Sequence, residues 1–422
     1  MIARFRPGKA AGEVNAPPSK SMAHRLLLAA ALSDQESRVG NLALSEDILA
    51  TQDCLRALGK VLETEETETG LCARILPGDL YSDDEISHRN LSPSPKGIRL
   101  SVRESGSTLR FLIPVALTLG VPVTFTGAKR LFERPLSVYE KLAEEEGFLF
   151  EKTVDSVTVS GKLQPKSYEI AGNISSQFVS GLLFALPGLP GDSRIVLQPP
   201  IESHPYIDMT IQALGLFGIR VFWEDERCIF VPGNQKAQGR QVVTEGDYSN
   251  AAFLEVLNLF GGDVRVKGLD PGSLQGDRVY REYFEKLKRG PACLDLSDCP
   301  DLGPVLFAAA AALGHGAEFR GIRRLRIKES DRIACMQEEL RKFGVRSMAE
   351  ENRLILEAGK LQIPKEALSG HNDHRIVMAL SSLLTLTGGE IHGIEAVRKS
   401  YPDYFEQIRK LGIEVELHAV DQ

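Results

Sequence analysis

Six times along this chain a short polar loop runs straight into an alanine- and leucine-rich stretch, and about forty residues later an amphipathic segment stops at a glycine. The loops are Ser19-Lys20-Ser21, Ser105-Gly106-Ser107, Ser175-Ser176-Gln177, Asp247-Tyr248-Ser249, Pro300-Asp301-Leu302 and Asn372-Asp373-His374. The glycines are Gly59, Gly147, Gly218, Gly290, Gly344 and Gly412, and the offsets from Lys20, Ser105, Ser175, Asp247, Asp301 and Asp373 are 39, 42, 43, 43, 43 and 39 residues. Common residues do not keep so constant an offset by chance. Loop starts lie 85, 70, 72, 54 and 72 residues apart, longer than the roughly 20 to 50 residues of a solenoid repeat. Each unit therefore has room for two helices and several strands.

Short β-branched or alternating segments such as Arg38–Leu42, Val121–Thr126, Arg194–Gln198, Ala317–Arg320 and Glu390–His392 read as strands bounded by turn residues. The first helix of each unit is apolar on all sides, which predicts burial. The second, as in Tyr280–Arg289 or Arg332–Phe343, carries apolar residues three and four apart and predicts a helix facing solvent. The expected fold class is α/β (α+β), each unit reading as strand, helix, strand, helix, then one or two strands. At 422 residues the chain exceeds what one core usually supports, so six units divide as three and three. Gly233–Gly246 reads as the junction, Asp79–Gly97 as an extended loop, and Ile2–Ala16 as a strand that pairs with the last unit. The expected domains are residues 1–18 with 241–422, and 19–240. The chain then crosses twice, which predicts a hinge and an interdomain active-site cleft at which the buried helices point their N-termini.

The formal net charge of −7 argues against a nucleic-acid partner. Lysine and arginine nevertheless gather beside the loops, at Lys20, Arg25, Arg103, Arg110, Arg130, Arg320 to Arg332, Arg375 and Lys399, a pattern suited to a small anionic ligand. No apolar run has transmembrane length and no signal peptide is evident, so no membrane partner and a cytoplasmic location are expected. The six cysteines show neither CxxC nor metal-ligand spacing, which predicts free thiols and no metal site.

A helix N-terminus leaves backbone N–H groups unpaired and carries about half a positive charge, so six such ends make anion sites. Serines in three of the loops suit capping and phosphate binding equally well. Gly106 permits close approach of a ligand to the backbone. In Arg326-Ile327-Lys328-Glu329-Ser330-Asp331-Arg332, the spacing puts Lys328 and Arg332 on one face at a helix start with Glu329 between them. Asp301 is either a helix cap or a general base among cations. There is no GxxxxGK[ST], GxGxxG, HExxH or nucleophile elbow. By themselves these residues support an enzyme acting on anionic substrates.

Pro18-Ser19-Lys20-Ser21 with Arg25, Glu104-Ser105-Gly106-Ser107-Thr108 with Arg110, Ser175-Ser176-Gln177-Phe178, Glu245-Gly246-Asp247, Lys328-Glu329-Ser330-Asp331-Arg332, Asn372-Asp373-His374-Arg375 and Lys399-Ser400-Tyr401-Pro402-Asp403-Tyr404-Phe405 closely resemble the 5-enolpyruvylshikimate-3-phosphate synthases. The resemblance spans residues 18 to 405 and implies two domains of three βαβαββ units each. It implies transfer of the enolpyruvyl group of phosphoenolpyruvate to the 5-hydroxyl of shikimate 3-phosphate, with release of phosphate, in aromatic amino-acid biosynthesis. By the same resemblance Ser21, Arg25, Ser175, Ser176, Ser203 and Tyr206 would hold shikimate 3-phosphate, and Gly106, Arg130, Arg332, Arg375 and Lys399 would hold phosphoenolpyruvate. Lys20, Gln177 and Lys328 would touch both. Asp301, also against the acceptor, would take the proton of the 5-hydroxyl. Glu329, with Lys328 or Lys20, would protonate the methylene carbon to give a tetrahedral intermediate. No metal or organic cofactor is called for, and the small-molecule substrates would meet a monomer. The family often has Asn shortly before the Arg-x-Lys-Glu run, where this chain has Arg324.

Two rival readings remain. UDP-N-acetylglucosamine enolpyruvyl transferases resemble this fold but carry a reactive cysteine in the loop corresponding to Thr126–Pro135, where this chain has none. A non-catalytic phosphometabolite-binding protein would have no need of Lys20, Asp301, Lys328 and Glu329 together.

Overall fold

The computed structural model describes residues 1–67, 70–78, 80 and 97–419. The Asp79–Gly97 stretch, but for residues 80 and 97, lies outside the described residues. The chain forms two compact units, Pro18–Glu245 and Met1–Pro17 with Gly246–Gln422. The division falls at 245/246 rather than 240/241 because Gln241–Val243 pairs in parallel with Ser37–Leu42.

In the Pro18–Glu245 unit three four-stranded sheets share one pattern. Ile98–Arg103 pairs in parallel with Val123–Gly127, which pairs antiparallel with Ser156–Ser160, which pairs antiparallel with Leu149–Lys152. Ser167–Ala171, Ser193–Gln198, Cys228–Val231 and Phe222–Trp223 repeat it. So do Gln241–Val243, Ser37–Leu42, Gly70–Ile75 and Leu62–Thr67. Parallel neighbours need a crossover, which a helix supplies. Gly106–Ala116 and Ser176–Ala185 are such helices, Lys20–Ala31, which runs into Ser37–Leu42, is their counterpart beside the third sheet, and the apolar residues of all three fill the core. Gly181 makes close packing possible, since a Cβ there would lie 2.3 Å from the carbonyl oxygen of Arg110 and 2.5 Å from Tyr139 Oη.

In the other unit Ala292–Asp295, Ala317–Arg320, Arg353–Leu356 and Ser347–Ala349 follow the same order. The last sheet departs from it, because Ile2–Phe5 lies between Gly389–His392 and Val415–His418, antiparallel to both. The expected Ile2–Ala16 strand is two strands separated by Pro7-Gly8. The second, Ala11–Asn15, joins the fourth repeat by pairing in parallel with Asp263–Lys267. That fourth sheet has two strands among the described residues, not four. The Tyr280–Arg289 helix runs almost directly into Ala292–Asp295, the first strand of the next sheet, so no residues remain for a hairpin. This accounts for the short 54-residue spacing. The core helices here are Tyr248–Leu259, Gly303–Leu313 and His374–Thr387. All six closing glycines have positive φ, from 73° at Gly147 to 143° at Gly290, the backbone a helix needs in order to stop and turn.

Candidate active site

Five of the six core helices begin with a side-chain cap. Ser19, Ser105 and Ser175 accept from the backbone N–H of Met22, Thr108 and Gln177 at 3.2 to 3.3 Å, and Asp247 and Asp373 accept from Asn250 and Arg375 at 2.8 and 2.9 Å. The sixth helix, Gly303–Leu313, has no such cap. Asp301 lies before it in the 3-10 turn Pro300–Leu302, which leaves its carboxylate for other partners.

Those partners are three cations. Asp301 Oδ1 accepts from Lys328 Nζ at 3.2 Å and Arg332 Nη1 at 3.0 Å, and Oδ2 from Arg375 Nη2 at 2.9 Å. Arg332, 1% exposed, also donates to Glu329 Oε2 at 2.8 Å and, through Nε, to Asp373 Oδ2 at 2.8 Å. Ser330 Oγ reaches Asp373 at 3.1 Å, Arg375 Nη1 reaches Ser249 Oγ, and Lys399 Nζ donates to the carbonyl of Asn372 at 2.7 Å. Burial pushes the Asp301 carboxyl up, but Arg375, Lys328 and Arg332 outweigh it and hold the group well below the ordinary carboxylate range. Burial likewise opposes the charge on Arg332, and Asp373, Glu329 and Asp301 overcome it, raising its pKa. Lys328 and Arg332 do not meet across a helical face, as the spacing suggests. Lys328 is extended backbone outside the helix, which starts at Arg332 with Asp331 as its cap. Asp301 brings the two cations together.

In the Pro18–Glu245 unit hydroxyls and backbone groups replace most of the carboxylates. Lys20 Nζ binds Asp47 Oδ2 at 2.8 Å. Arg25 is buried and donates to the carbonyl of Ser21 at 2.7 Å, Thr210 Oγ1 at 2.8 Å and the carbonyl of Tyr206 at 2.9 Å, with its guanidinium 6.0 Å from the centre of the Tyr206 ring. Burial lowers its pKa to about 10. Ser203 stands at the start of the His204–Leu216 helix with φ 58°, and its carbonyl accepts from the N–H of Tyr206 at 3.1 Å, while Arg25 joins Tyr206 to Ser21. Gln177, next to Ser175 and Ser176, donates to Ser107 Oγ at 2.9 Å and accepts from Arg110 Nη1 at 3.2 Å. Gly106 faces guanidinium groups, as a Cβ there would lie 2.8 Å from both Arg110 Nη1 and Arg134 Nη1. Arg130 stands in a more exposed place, 45% accessible and bonded to Glu133 at 3.2 Å.

A buried chain ties these loops together. Thr108 Oγ1 donates to Ser105 Oγ at 2.7 Å, so it accepts from Thr51 at 2.7 Å. Thr51 must then accept from His24 Nδ1 at 2.7 Å, which fixes His24 as the Nδ1–H tautomer. Burial, with Lys20 and Arg25 nearby, keeps this histidine neutral by lowering its pKa well below the usual value. The sequence does not single out Asp47, Thr51 or His24 and gives Thr108 a place in a motif but no partner, because nothing in the chain relates residues 27 or 57 apart. It also leaves Asp373 and Ser249 without roles, although both lie in the recurring loops. Arg324 is 5% exposed and donates to the carbonyl of Ser297.

The fold is shared with enolpyruvyl transferases. The EPSP synthase of Acinetobacter baumannii matches with a TM-score of 0.76 at 22% identity, over 99% of this chain and 100% of that one. The enolpyruvyl transferase NikO of Streptomyces tendae matches with a TM-score of 0.73 at 13% identity, over 98% of each. The model of the family EPSP synthase (3-phosphoshikimate 1-carboxyvinyltransferase) matches residues 6–408. A 3-phosphoshikimate 1-carboxyvinyltransferase of Clostridium kluyveri is 38% identical, over 99% of this chain and 98% of its own length. The chain belongs to the EPSP synthase family, transferases of the shikimate pathway.

Proposed function

We propose that the two sets of residues act on the same pair of substrates, shikimate 3-phosphate and phosphoenolpyruvate. Ser21, Arg25, Ser175, Ser176, Ser203 and Tyr206 hold the acceptor. Gly106, Arg130, Arg332, Arg375 and Lys399 hold the donor, and Lys20, Gln177 and Lys328 touch both. The observation that carries this reading is Asp301 held between Lys328, Arg332 and Arg375. A carboxylate stabilised so strongly is a poor base. Anionic ligands that draw those three cations to themselves restore its basicity, so the base becomes competent once phosphoenolpyruvate occupies them. Asp301 then removes the proton of the 5-hydroxyl as the oxygen attacks C2 of phosphoenolpyruvate, and Glu329, with Lys328 or Lys20, delivers a proton to the methylene carbon. The tetrahedral intermediate loses phosphate as a proton leaves the methyl group, restoring the enol double bond. The cations offset the repulsion between two multiply charged ligands.

A monomer in the cytoplasm suits this reading. All six cysteines are free thiols, as in a reducing compartment, and no described helix is long and apolar enough to cross a membrane. The substrate assignment is tested by phosphate release from phosphoenolpyruvate with shikimate 3-phosphate or with UDP-N-acetylglucosamine. Turnover is expected with the first, and turnover with the second alone overturns the assignment.

A further inference from the structure

His371 and Asn372 are consecutive non-glycine residues in the left-handed region, with φ 48° and 52°, a conformation that crowds the Cβ of any side-chain-bearing residue. It persists only where the surroundings enforce it. The turn stands directly before Asp373, which caps the His374–Thr387 helix and grips Arg332, and its Asn372 carbonyl receives Lys399. Its geometry therefore sets three groups of the site.

What enforces the turn is a carboxylate outside the reacting groups. Glu339 is fully buried, and both its oxygens are occupied: Oε1 by Lys342 Nζ at 3.0 Å and His371 Nε2 at 2.9 Å, Oε2 by Lys342 Nζ at 2.9 Å and the backbone N–H of Ser369 at 3.1 Å. Ser369 Oγ in turn accepts from the N–H of His371 at 3.2 Å. Glu339 and Arg332 lie seven residues apart on one helix, two turns along the same face. That face holds residues 369 and 371 with Glu339 and residue 373 with Arg332. Glu338, Glu339 and His371 bring their ligand atoms within 4.8 Å of one another, but Lys342 already places an ammonium on both oxygens of Glu339, so the cluster is an ion-paired brace rather than a cation site. Hydrogen bonds to Cys335 and then to Glu339 push the His371 imidazole up to about 10, consistent with a charged clamp.

We propose that Glu339 and His371 are positioning residues that brace the 369–373 turn in its strained form, so that Asn372 and Asp373 present Lys399 and Arg332 to the anionic donor. The functional half of this inference rests on the assignment of Lys399 and Arg332 to phosphoenolpyruvate. The test uses His371→Gly, which tolerates positive φ but has no ring, and His371→Gln, whose amide nitrogen can replace Nε2. Hydrogen exchange of residues 369–376 in the unliganded enzyme reads the brace directly. His371→Gly is expected to speed it at least tenfold and to raise the KM for phosphoenolpyruvate about tenfold, with the KM for shikimate 3-phosphate within about twofold. His371→Gln is expected to restore most of both. Unchanged exchange and unchanged KM, with only a lower melting temperature, overturn the proposal. Lys399→Ala separates the two layers. If it leaves the KM for phosphoenolpyruvate unaltered, the ligand assignment falls, and exchange alone decides whether the brace exists.

Discussion

In the Pro18–Glu245 unit the helix that carries Lys20 and Arg25 also buries His24, whose bonded partner is a threonine hydroxyl, whereas in the other unit His371 is bonded to the buried carboxylate Glu339. The first histidine is driven toward neutrality and the second toward charge. The same contrast runs through the neighbouring loops. Ser105, Thr108, Thr51 and His24 form a chain of neutral groups, while Asp301, Arg332, Asp373, Glu329 and Arg375 form a mesh of opposed charges. A neutral hydroxyl chain holds loops in place without competing for an anionic ligand. A mesh of opposed charges can be rearranged by one, which acid-base chemistry requires.

The largest expected effect bridges the comparison. Lys20 is a cation of the hydroxyl-rich unit, paired with Asp47, and Lys20→Ala is expected to reduce phosphate release by about 10³-fold or more, since electrostatic and proton-transfer roles each contribute factors of this order. Wild-type-like turnover removes Lys20 from the mechanism.

Stability sharpens the contrast next. Asp373→Ala leaves a fully buried Arg332 without its Nε partner and takes away a helix cap, which should cost about 3 to 5 kcal/mol in urea unfolding. Thr108→Val, in the hydroxyl chain, should cost about 1 to 2 kcal/mol. Equal losses would mean that the two regions do not differ as described.

The smallest effect is in pH dependence. The folded pKa of His24 lies below its unfolded value of about 6.5. Below pH 6.5 the unfolded chain takes up a proton that the folded one refuses, so stability falls with acidification by at most about 1.4 kcal/mol per pH unit. His371 has the opposite sign. Its folded pKa of about 10 contributes stability that is complete below pH 6.5 and is lost as pH rises toward 10. Unfolding free energies of His24→Gln and wild type, measured from pH 7 to 5, should converge as pH falls, and those of His371→Gln should converge with wild type from pH 7 to 10. A parallel offset in either range contradicts the corresponding assignment.

Much of this was legible in the chain. The Tyr280–Arg289 helix follows from its apolar spacing residue for residue, and the six recurring glycines mark turns of positive φ. The outer hairpin strands were not legible. Leu62–Thr67 buries only Leu62 and is otherwise charged or polar, because an edge strand packs little and has no apolar alternation to show. The pairing of Lys328 with Arg332 was expected, but through a helix face that does not exist. Contacts such as Lys20 with Asp47 and Glu339 with His371 join residues 27 and 32 apart through tertiary packing. Glu339 reads in sequence as one more polar residue on an amphipathic helix, and only its burial reveals it.

The central claim is that the Asp301 cluster performs the proton transfers while the serine- and threonine-rich unit holds the acceptor. Its most direct test is phosphate release by Asp301→Ala with both substrates saturating, alongside the KM for shikimate 3-phosphate. Turnover should fall by about 10² to 10⁴-fold with the melting transition still cooperative and the KM changed much less than turnover. Wild-type-like turnover in that variant would contradict the account.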